Sequence, residues 1–203
     1  MILDEVKRLA KPADIILDIG CGIRPQKYIR SRIHICADPH QKYLDCLGWD
    51  KSLLKVRADW KQAIELFPAV DTVFLLDVIE HLEKAEALDL LEATKQIARS
   101  QIVILTPLGF CEQGPDENGR DAWGLDGGEL QRHRSGWLPD DFAGPDWKIL
   151  TDPNFSPRCG ALLAIWTNPG HKDESPLPLT KRQRLHYGVD IFCNKYEMMR
   201  SHL

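Results

Sequence analysis

Short apolar segments recur along the first half of the chain, separated by polar and amphipathic stretches. Five of these segments have the length of strands. Several are apolar at consecutive positions, which is typical of strands covered on both faces of a sheet. We therefore predict strands at residues 15–19, 33–37, 53–56, 70–76 and 102–105.

Apolar residues at helical spacing predict helices around and between these strands. A leading helix is predicted over residues 2–10. Pro25 suits a first helical turn, so a second helix is predicted from there through Tyr28 and Ile29. The clearest helix covers residues 83–98. The alternation predicts an α/β fold with a doubly wound, mostly parallel sheet and three αβα layers. The apolar stripe of the clearest helix consists of Leu88, Leu91, Ile97 and Ala98.

The alternation stops after residue 105. Residues 106–136 are rich in Gly, Asp, Pro and Trp without a sustained period, and a long irregular segment inside a compact domain is usually functional. Two apolar runs follow, at residues 147–150 and 161–167. The short proline-containing link between them predicts a hairpin in which one strand is reversed.

The pattern predicts one domain over residues 1–168, with residues 106–146 as a substrate lid. A linker and a C-terminal helix are predicted over residues 169–203. Thr180 and Gln183 resemble a capping box at the start of that helix. We expect the helix to pack on the domain or on a second subunit, which would make a homodimer.

Charge and composition narrow the class of protein. A net charge of −4 argues against general attraction to nucleic acid or anionic membranes. No apolar run approaches the roughly 20 residues that cross a bilayer, and the first residues do not resemble a secretion signal. The six cysteines show neither a C-x-x-C pair nor zinc-ligand spacing. We expect a cytoplasmic protein with free thiols and no bound metal ion.

Acidic residues stand at the ends of four successive predicted strands, and a glycine turn follows the first of them. Any one of these acids is equally well explained as a helix cap. All four together favour a nucleoside-like ligand, because ligands of open α/β sheets bind outside the carboxyl ends of the strands. The residues are Asp18 with Gly20, Cys21 and Gly22, then Asp38, then Asp59 with Trp60, and Asp77.

Each of these residue types suits a part of such a ligand. Glycines let the backbone turn sharply and approach a ligand closely, and Asp18 is expected at the mouth of that turn. Asp38 can accept both hydroxyls of a ribose. Asp59 can accept from an exocyclic amine, and Trp60 can stack on a purine.

These segments resemble class I S-adenosylmethionine-dependent methyltransferases, in particular the small-molecule type 11 group. The segment 17–22 (LDIGCG) is similar to the glycine-rich motif of the family, Asp38 to its ribose-binding acid, and 58–60 to its adenine-contacting segment. The segment 77–82 (DVIEHL) is the most specific match, and 104–107 (ILTP) resembles the end of the fifth strand. One departure is Arg24, where many members carry a third glycine.

The resemblance implies S-adenosylmethionine as cofactor and a reversed hairpin at the end of the sheet. The methyl group is expected to move to an oxygen or nitrogen of a small molecule or of a glycan- or lipid-linked intermediate. The residues expected to bind the cofactor are Asp18, Gly20, Cys21, Gly22, Asp38, Pro39, Asp59, Trp60, Asp77 and Val78.

Two histidines are candidates for accepting the proton of the acceptor group, since imidazole titrates near neutral pH. His81 follows the fourth strand, close to the expected methyl group; the alternative is a helix cap or a cofactor contact. His133 lies in the irregular segment; the alternative is a plain surface loop. Glu80 is interpreted as a first-turn carboxylate stabilised by the helix dipole.

As a lid, the irregular segment would exclude water and select the acceptor. In the alternative interpretation, its tryptophans only anchor an ordered loop. The residues that carry this hypothesis are Trp123, Asp126, Gly127, Gly128, His133 and Trp137.

Two other functions compete with methyl transfer. The first is an NAD(P)-dependent oxidoreductase, which shares the ribose-binding acid but requires a third glycine for close helix packing and a pyrophosphate at the start of the helix. Arg24 at that place, together with the segments 59–60 and 77–82, argues against it. The second is a methyltransferase-like module that binds a ligand without catalysis.

Overall fold

A computed structural model describes residues 1–48 and 50–171. The end of the predicted linker and the predicted C-terminal helix, including Thr180, lie outside the described residues. The helices are α1 (Ile2–Leu9), α2 (Gln41–Cys46), α3 (Trp60–Leu66) and α4 (Lys84–Ile97), and the strands are β1 (Ile15–Ile19), β2 (Ile33–Asp38), β3 (Leu53–Arg57), β4 (Val70–Leu76), β5 (Ala98–Leu108), β6 (Trp147–Asp152) and β7 (Gly160–Thr167).

The strands form one sheet in the order β3-β2-β1-β4-β5-β7-β6. The first five pair in parallel, and β7 lies antiparallel to both β5 and β6. The predicted mostly parallel sheet with a reversed C-terminal hairpin is confirmed. This order differs from the 3-2-1-4-5-6 order of dinucleotide-binding sheets, because β7 inserts between β5 and β6.

Side chains of β1 alternate between the two faces of the sheet, as strand geometry requires. Leu17 and Ile19 belong to the core cluster that contains residues of α3 and α4. Ile16 points to the opposite face, in the cluster that contains Ile2 and Val6 of α1. Both faces are therefore covered, and the predicted αβα layers are confirmed.

The predicted helix from Pro25 through Tyr28 and Ile29 is wrong. No helix connects β1 to β2. The side chain of Gln26 accepts from the amides of Tyr28 and Ile29 and donates to the carbonyl of Ile29. These local hydrogen bonds satisfy backbone groups outside a helix and so compete with helix formation.

The predicted helix over residues 83–98 is confirmed as α4, but its buried stripe differs from the expected one. Leu88 is 43% exposed. The stripe that faces the sheet consists of Ala87, Leu90, Leu91, Thr94 and Ile97.

The expectation that all six cysteines are free thiols is wrong for one pair. Cys111 and Cys159 form a disulfide with Cα atoms 6.0 Å apart, whereas Cys21, Cys36 and Cys46 are free. Spacing along the sequence could not indicate this pair, because β5 and β7 must first lie side by side. Within the described ranges, no helix is both long enough and apolar enough to cross a membrane.

Candidate functional site

A cavity of about 1110 Å³ opens at the carboxyl ends of the parallel strands. It is large for a small-molecule site, which typically measures about 300–1,000 Å³. All of the residues expected to bind the cofactor line it except Asp18, and both predicted catalytic histidines, His81 and His133, line it as well.

The turn after β1 is built from two glycines in the left-handed region, Gly20 at φ +65° and Gly22 at φ +54°. The amide of Gly20 donates to the carbonyl of Ala37 over 2.8 Å, and the amide of Gly22 donates to Asp38 Oδ2 over 3.0 Å. Other residues rarely adopt this backbone conformation, so the turn requires glycine at both positions.

Asp38 at the end of β2 is buried and lines the cavity beside this turn. Its second oxygen accepts from the amide of His40 over 2.8 Å. Burial raises the pKa of Asp38, and the two amide donors oppose that shift. Each carboxylate oxygen has a second lone pair, so the group can accept ribose hydroxyls while it holds the turn.

Asp18 does not stand at the mouth of the turn, where we expected it. Its side chain is buried behind the turn, and Oδ2 accepts from the amide of Gln26 over 2.7 Å and contacts His34 Nε2 over 3.1 Å. Burial alone would lower the pKa of His34, but hydrogen bonds to Asp18 and Cys36 raise it to about 10. Asp18 therefore holds the loop after β1 through the amide of Gln26, and it does not line the cavity.

Asp59 and Trp60 lie at the start of α3, on the wall of the cavity. The helix-cap alternative applies to Asp59, because its side chain accepts from the amide of Gln62 over 2.9 Å. The same residue also lines the cavity. The indole Nε1–H of Trp60 donates to Glu86 over 3.1 Å, which fixes the orientation of the ring.

Asp77 follows β4 and is, in the described part of the chain, the one non-glycine residue with positive φ, at 53°. Non-glycine residues in this region are strained, and such strain clusters at functional sites. Asp77 is exposed to the open cavity, and desolvation by the cavity walls raises the pKa of its carboxyl to about 6. Val78 packs on the glycine turn, since a Cβ on Gly20 would lie 2.8 Å from Val78 Cγ2.

Glu80 lies in a first turn, as expected, but its carboxylate is buried against β5. It is 2% exposed within a 3-10 turn, Ile79–His81, and its Oε2 accepts from Thr106 Oγ1 of β5 over 2.9 Å. Burial, reinforced by the charge of Asp77, raises the pKa of Glu80 to about 8. In the sequence, Glu80 lies between the end of β4 and His81. This position indicated a residue of the site, which the helix-dipole interpretation overlooked.

His133 lies next to His81, with ring centroids 4.9 Å apart. The irregular segment docks on the 3-10 turn: the amides of Arg134 and Ser135 donate to the carbonyl of Glu80 over 2.7 and 3.1 Å. His133 is therefore not a plain surface loop residue. Burial and the neighbouring His133 lower the pKa of His81 to about 4, and burial also lowers the pKa of His133.

The irregular segment contacts the opposite end of the cavity through Trp123. Its ring covers Gly22, and it packs edge-on against Tyr43 of α2 with centroids 5.0 Å apart. The hydroxyl of Tyr43 donates to Asp121. Asp126, which we expected in the lid, pairs with His40 and Lys42.

Trp137 has a different role from Trp123. It is fully buried in the main core, and its Nε1–H donates to Ser135 Oγ over 3.1 Å. The anchoring interpretation therefore applies to Trp137, while Trp123 lines the cavity.

The sequence matches no protein-family model and no curated protein. Solved structures do match. An S-adenosylmethionine-dependent methyltransferase from Archaeoglobus fulgidus is 15% identical over 82% of this chain and 92% of its own, with a TM-score of 0.57. Magnesium protoporphyrin IX methyltransferase from Synechocystis PCC 6803, with bound S-adenosylmethionine, is 12% identical over 82% of this chain and 77% of its own, with a TM-score of 0.52.

The chain therefore has the Rossmann-like fold of S-adenosylmethionine-dependent methyltransferases. The predicted resemblance to class I methyltransferases is confirmed at the level of the fold. At these identities, the site itself has to be judged from its own residues.

Proposed function

We propose that the protein is an S-adenosylmethionine-dependent methyltransferase. The observation that carries the proposal is the contact between Gly22 and Asp38, at the edge of a cavity in a methyltransferase fold. The turn of two left-handed glycines lies at the edge of the cavity, where Val78 packs on Gly20 and the ring of Trp123 covers Gly22. A carboxylate beside it suits a ribose, and an oriented indole, Trp60, suits an adenine ring.

Bound S-adenosylmethionine would supply an activated methyl group on a sulfonium. The part of this chain would be to position the acceptor and to exclude water, which supplies much of the acceleration for a good leaving group. The segment over residues 106–146 is proposed as the lid, since Trp123 covers the glycine turn and His133 contacts the other end of the cavity.

We propose an oxygen or nitrogen acceptor on a small molecule or on a glycan- or lipid-linked intermediate. The polar groups at the β4 end support this, because Glu80, His81 and His133 together line one part of the cavity. Both imidazoles are neutral near pH 7 and can accept the acceptor proton, but a pKa of about 4 makes His81 a weaker base than an ordinary imidazole.

The NAD(P)-dependent alternative is less well supported by the fold. Dinucleotide sites place the pyrophosphate at the start of a helix that follows the glycine turn. Here no helix connects β1 to β2, so that anion site is missing.

Calorimetric titration of the full chain with S-adenosylhomocysteine and, separately, with NADH tests the proposal. We expect one S-adenosylhomocysteine per chain and no NADH. Gly22→Ala should abolish binding, because a Cβ there would strain the left-handed turn and lie 2.5 Å from the Trp123 ring. Gly48→Ala is the matched control, since Gly48 has open space around it. Binding of NADH alone would overturn the proposal.

Transfer of labelled methyl to a panel of hydroxyl and amine acceptors tests catalysis. Labelled product is expected with at least one acceptor class. Cofactor binding without transfer to any acceptor would favour the non-catalytic module.

A further inference from the structure

Three groups with metal-binding atoms meet beside the end of β4. Glu80, His81 and His133 each offer one ligand atom, and these three atoms all lie within 4.8 Å of one another. The two imidazole rings are tilted by 58°, so they are not stacked face to face. Small side-chain movements would bring all three atoms to one ion, because typical metal–nitrogen and metal–oxygen bonds are about 2.0–2.2 Å long.

One oxygen of Glu80 lacks a partner. Oε2 accepts from Thr106 over 2.9 Å, whereas Oε1 is buried and makes no hydrogen bond. A buried polar atom without a partner is uncommon and calls for a ligand or ion that the protein atoms do not supply. The backbone of Val78 and Glu80 lies near this carboxylate but leaves Oε1 without a hydrogen bond, and an ion in the cavity that Glu80 lines would fill that place.

In both histidines, Nδ1 faces a backbone carbonyl, which is a common arrangement for histidines that bind a metal ion. Nδ1 of His133 faces the carbonyl of Cys111, and Nδ1 of His81 lies 3.4 Å from the carbonyl of Arg132. A ring nitrogen that donates to a backbone carbonyl fixes the tautomer and leaves Nε2 with its lone pair. Each Nδ1 is thus held by a backbone carbonyl, and the backbone of Asp77 is a second hydrogen-bond neighbour of His81.

We propose that Glu80, His81 and His133 bind one divalent first-row transition metal ion in the cavity. Two imidazoles and one carboxylate form a donor set that suits Zn²⁺ and related ions and leaves a coordination position for another ligand. The carboxyl of Asp77 lines the same cavity and adds negative charge nearby.

The role of the ion rests on the proposed methyl transfer, although its binding does not. An ion at this place would hold an acceptor oxygen and lower the pKa of its hydroxyl. The hydroxyl proton would leave to solvent, the carbon–sulfur bond of the methyl group would break, and a carbon–oxygen bond would form. Both histidines would then be ligands instead of proton acceptors.

A second cluster in the described residues, Asp18, His34 and Cys36, has similar separations. Its ligand atoms already have partners: Asp18 Oδ2 contacts both His34 Nε2 and the amide of Gln26. It also lies behind the glycine turn, because Asp18 is outside the cavity lining. We use it as the internal control for the proposed site.

The test is titration of the chelator-stripped full chain with Zn²⁺ by calorimetry and with Co²⁺ by visible absorption. We expect one ion per chain in the wild type and in Cys36→Ala. His133→Ala and Glu80→Gln should weaken Zn²⁺ binding by at least about 100-fold. Loss of a group that only orients a ligand costs about 10–100-fold, and loss of a ligand should cost more. Thr106→Val should weaken it by about 10–100-fold, because the orienting hydrogen bond to Glu80 is lost.

Thermal denaturation with and without Zn²⁺ gives a second readout. Zn²⁺ should raise the melting temperature of the wild type and leave that of His133→Ala unchanged. If Glu80→Gln does not fold, His133→Ala alone decides the question, because His133 lies in a loop. No Zn²⁺ binding, or binding lost in Cys36→Ala but kept in His133→Ala, would overturn the proposal. Titration with S-adenosylhomocysteine is independent of these results, so failure of the metal site and failure of the proposed function are distinguishable.

Discussion

The amide of Gly22 donates to Oδ2 of Asp38 over 3.0 Å, so the acid that ends β2 holds the glycine turn that follows β1. Oδ1 of the same carboxylate holds the amide of His40. The side chain of Asp38 therefore holds two loops at this edge of the cavity, the one after β1 and the one after β2.

Replacing Asp38 by alanine removes the proposed ribose acceptor and leaves two amides without their partner. We expect S-adenosylhomocysteine to bind more weakly by about 1–3 kcal/mol. Calorimetry measures the affinity, and chemical denaturation measures the cost to the fold. Asp38→Asn keeps an acceptor for one amide and should lie between alanine and the wild type. Unchanged affinity in both variants would remove the role of Asp38 in cofactor binding.

The buried pair of His34 and Asp18 predicts a dependence of stability on pH. The pKa of His34 is raised from 6.5 to about 10 in the folded state, so the protonated ring is favoured by folding. Its stabilising contribution is complete below pH 6.5 and is lost as the pH rises toward 10. NMR titration of His34 should show protonation well above pH 7.

Asp18→Asn tests the cause of this shift, because it removes the charge and keeps the shape. We expect it to lower the free energy of unfolding by about 1.5–3 kcal/mol near pH 6, the range for a hydrogen bond to a charged group. The difference from wild type should shrink toward pH 10. Cys36 also titrates beside His34, but it is present in both proteins. A difference that does not vary with pH would contradict the assignment.

The disulfide between Cys111 and Cys159 joins the irregular segment to the link just before β7, and its two cysteines are 48 positions apart in the sequence. We expect a linked peptide in non-reducing mass spectrometry and alkylation of Cys46 without reduction. Breaking the bond should lower the free energy of unfolding by about 2–4 kcal/mol. The expected cytoplasmic location stays a prediction. In the reducing cytoplasm, such a disulfide would form and break reversibly. Alkylation of Cys111 in the unreduced, unfolded protein would contradict the pairing.

Asp121 organises the part of the irregular segment that covers Gly22. Its carboxylate accepts from Tyr43 and from the amides of Trp123, Leu125 and Gly127. Asp121→Ala should increase hydrogen–deuterium exchange over residues 119–128 and leave the sheet unaffected, because local and global opening differ in free energy.

Asp126→Ala is the control for that experiment, since Asp126 lies in the same loop and its carboxylate is 58% exposed in its pairs with His40 and Lys42. Such pairs contribute about 0–1 kcal/mol, so exchange should change little. Equal hydrogen–deuterium exchange over residues 119–128 in the two variants would show that Asp121 does not order this part of the irregular segment.

The cofactor half of the site could be predicted because it depends on local sequence. Apolar runs indicated the strands, and the residues that end parallel strands must meet at one edge of the sheet. Gly20, Gly22, Asp38 and Asp77 were therefore placed at the cavity before the structure was known. Asp18 was misplaced because period-two alternation tells which face a residue points to, but not whether a later loop covers it.

The sequence by itself determined the order of the strands along the chain, the reversed final hairpin and the acids at the strand ends. Only the tertiary structure decided which distant residues meet: His133 beside His81, Cys111 bonded to Cys159, and Trp123 over Gly22. These contacts depend on how the irregular segment closes. No periodic pattern encodes that closure, because it follows from hydrogen bonds such as those from Arg134 and Ser135 to the carbonyl of Glu80, which form only once the sheet is assembled.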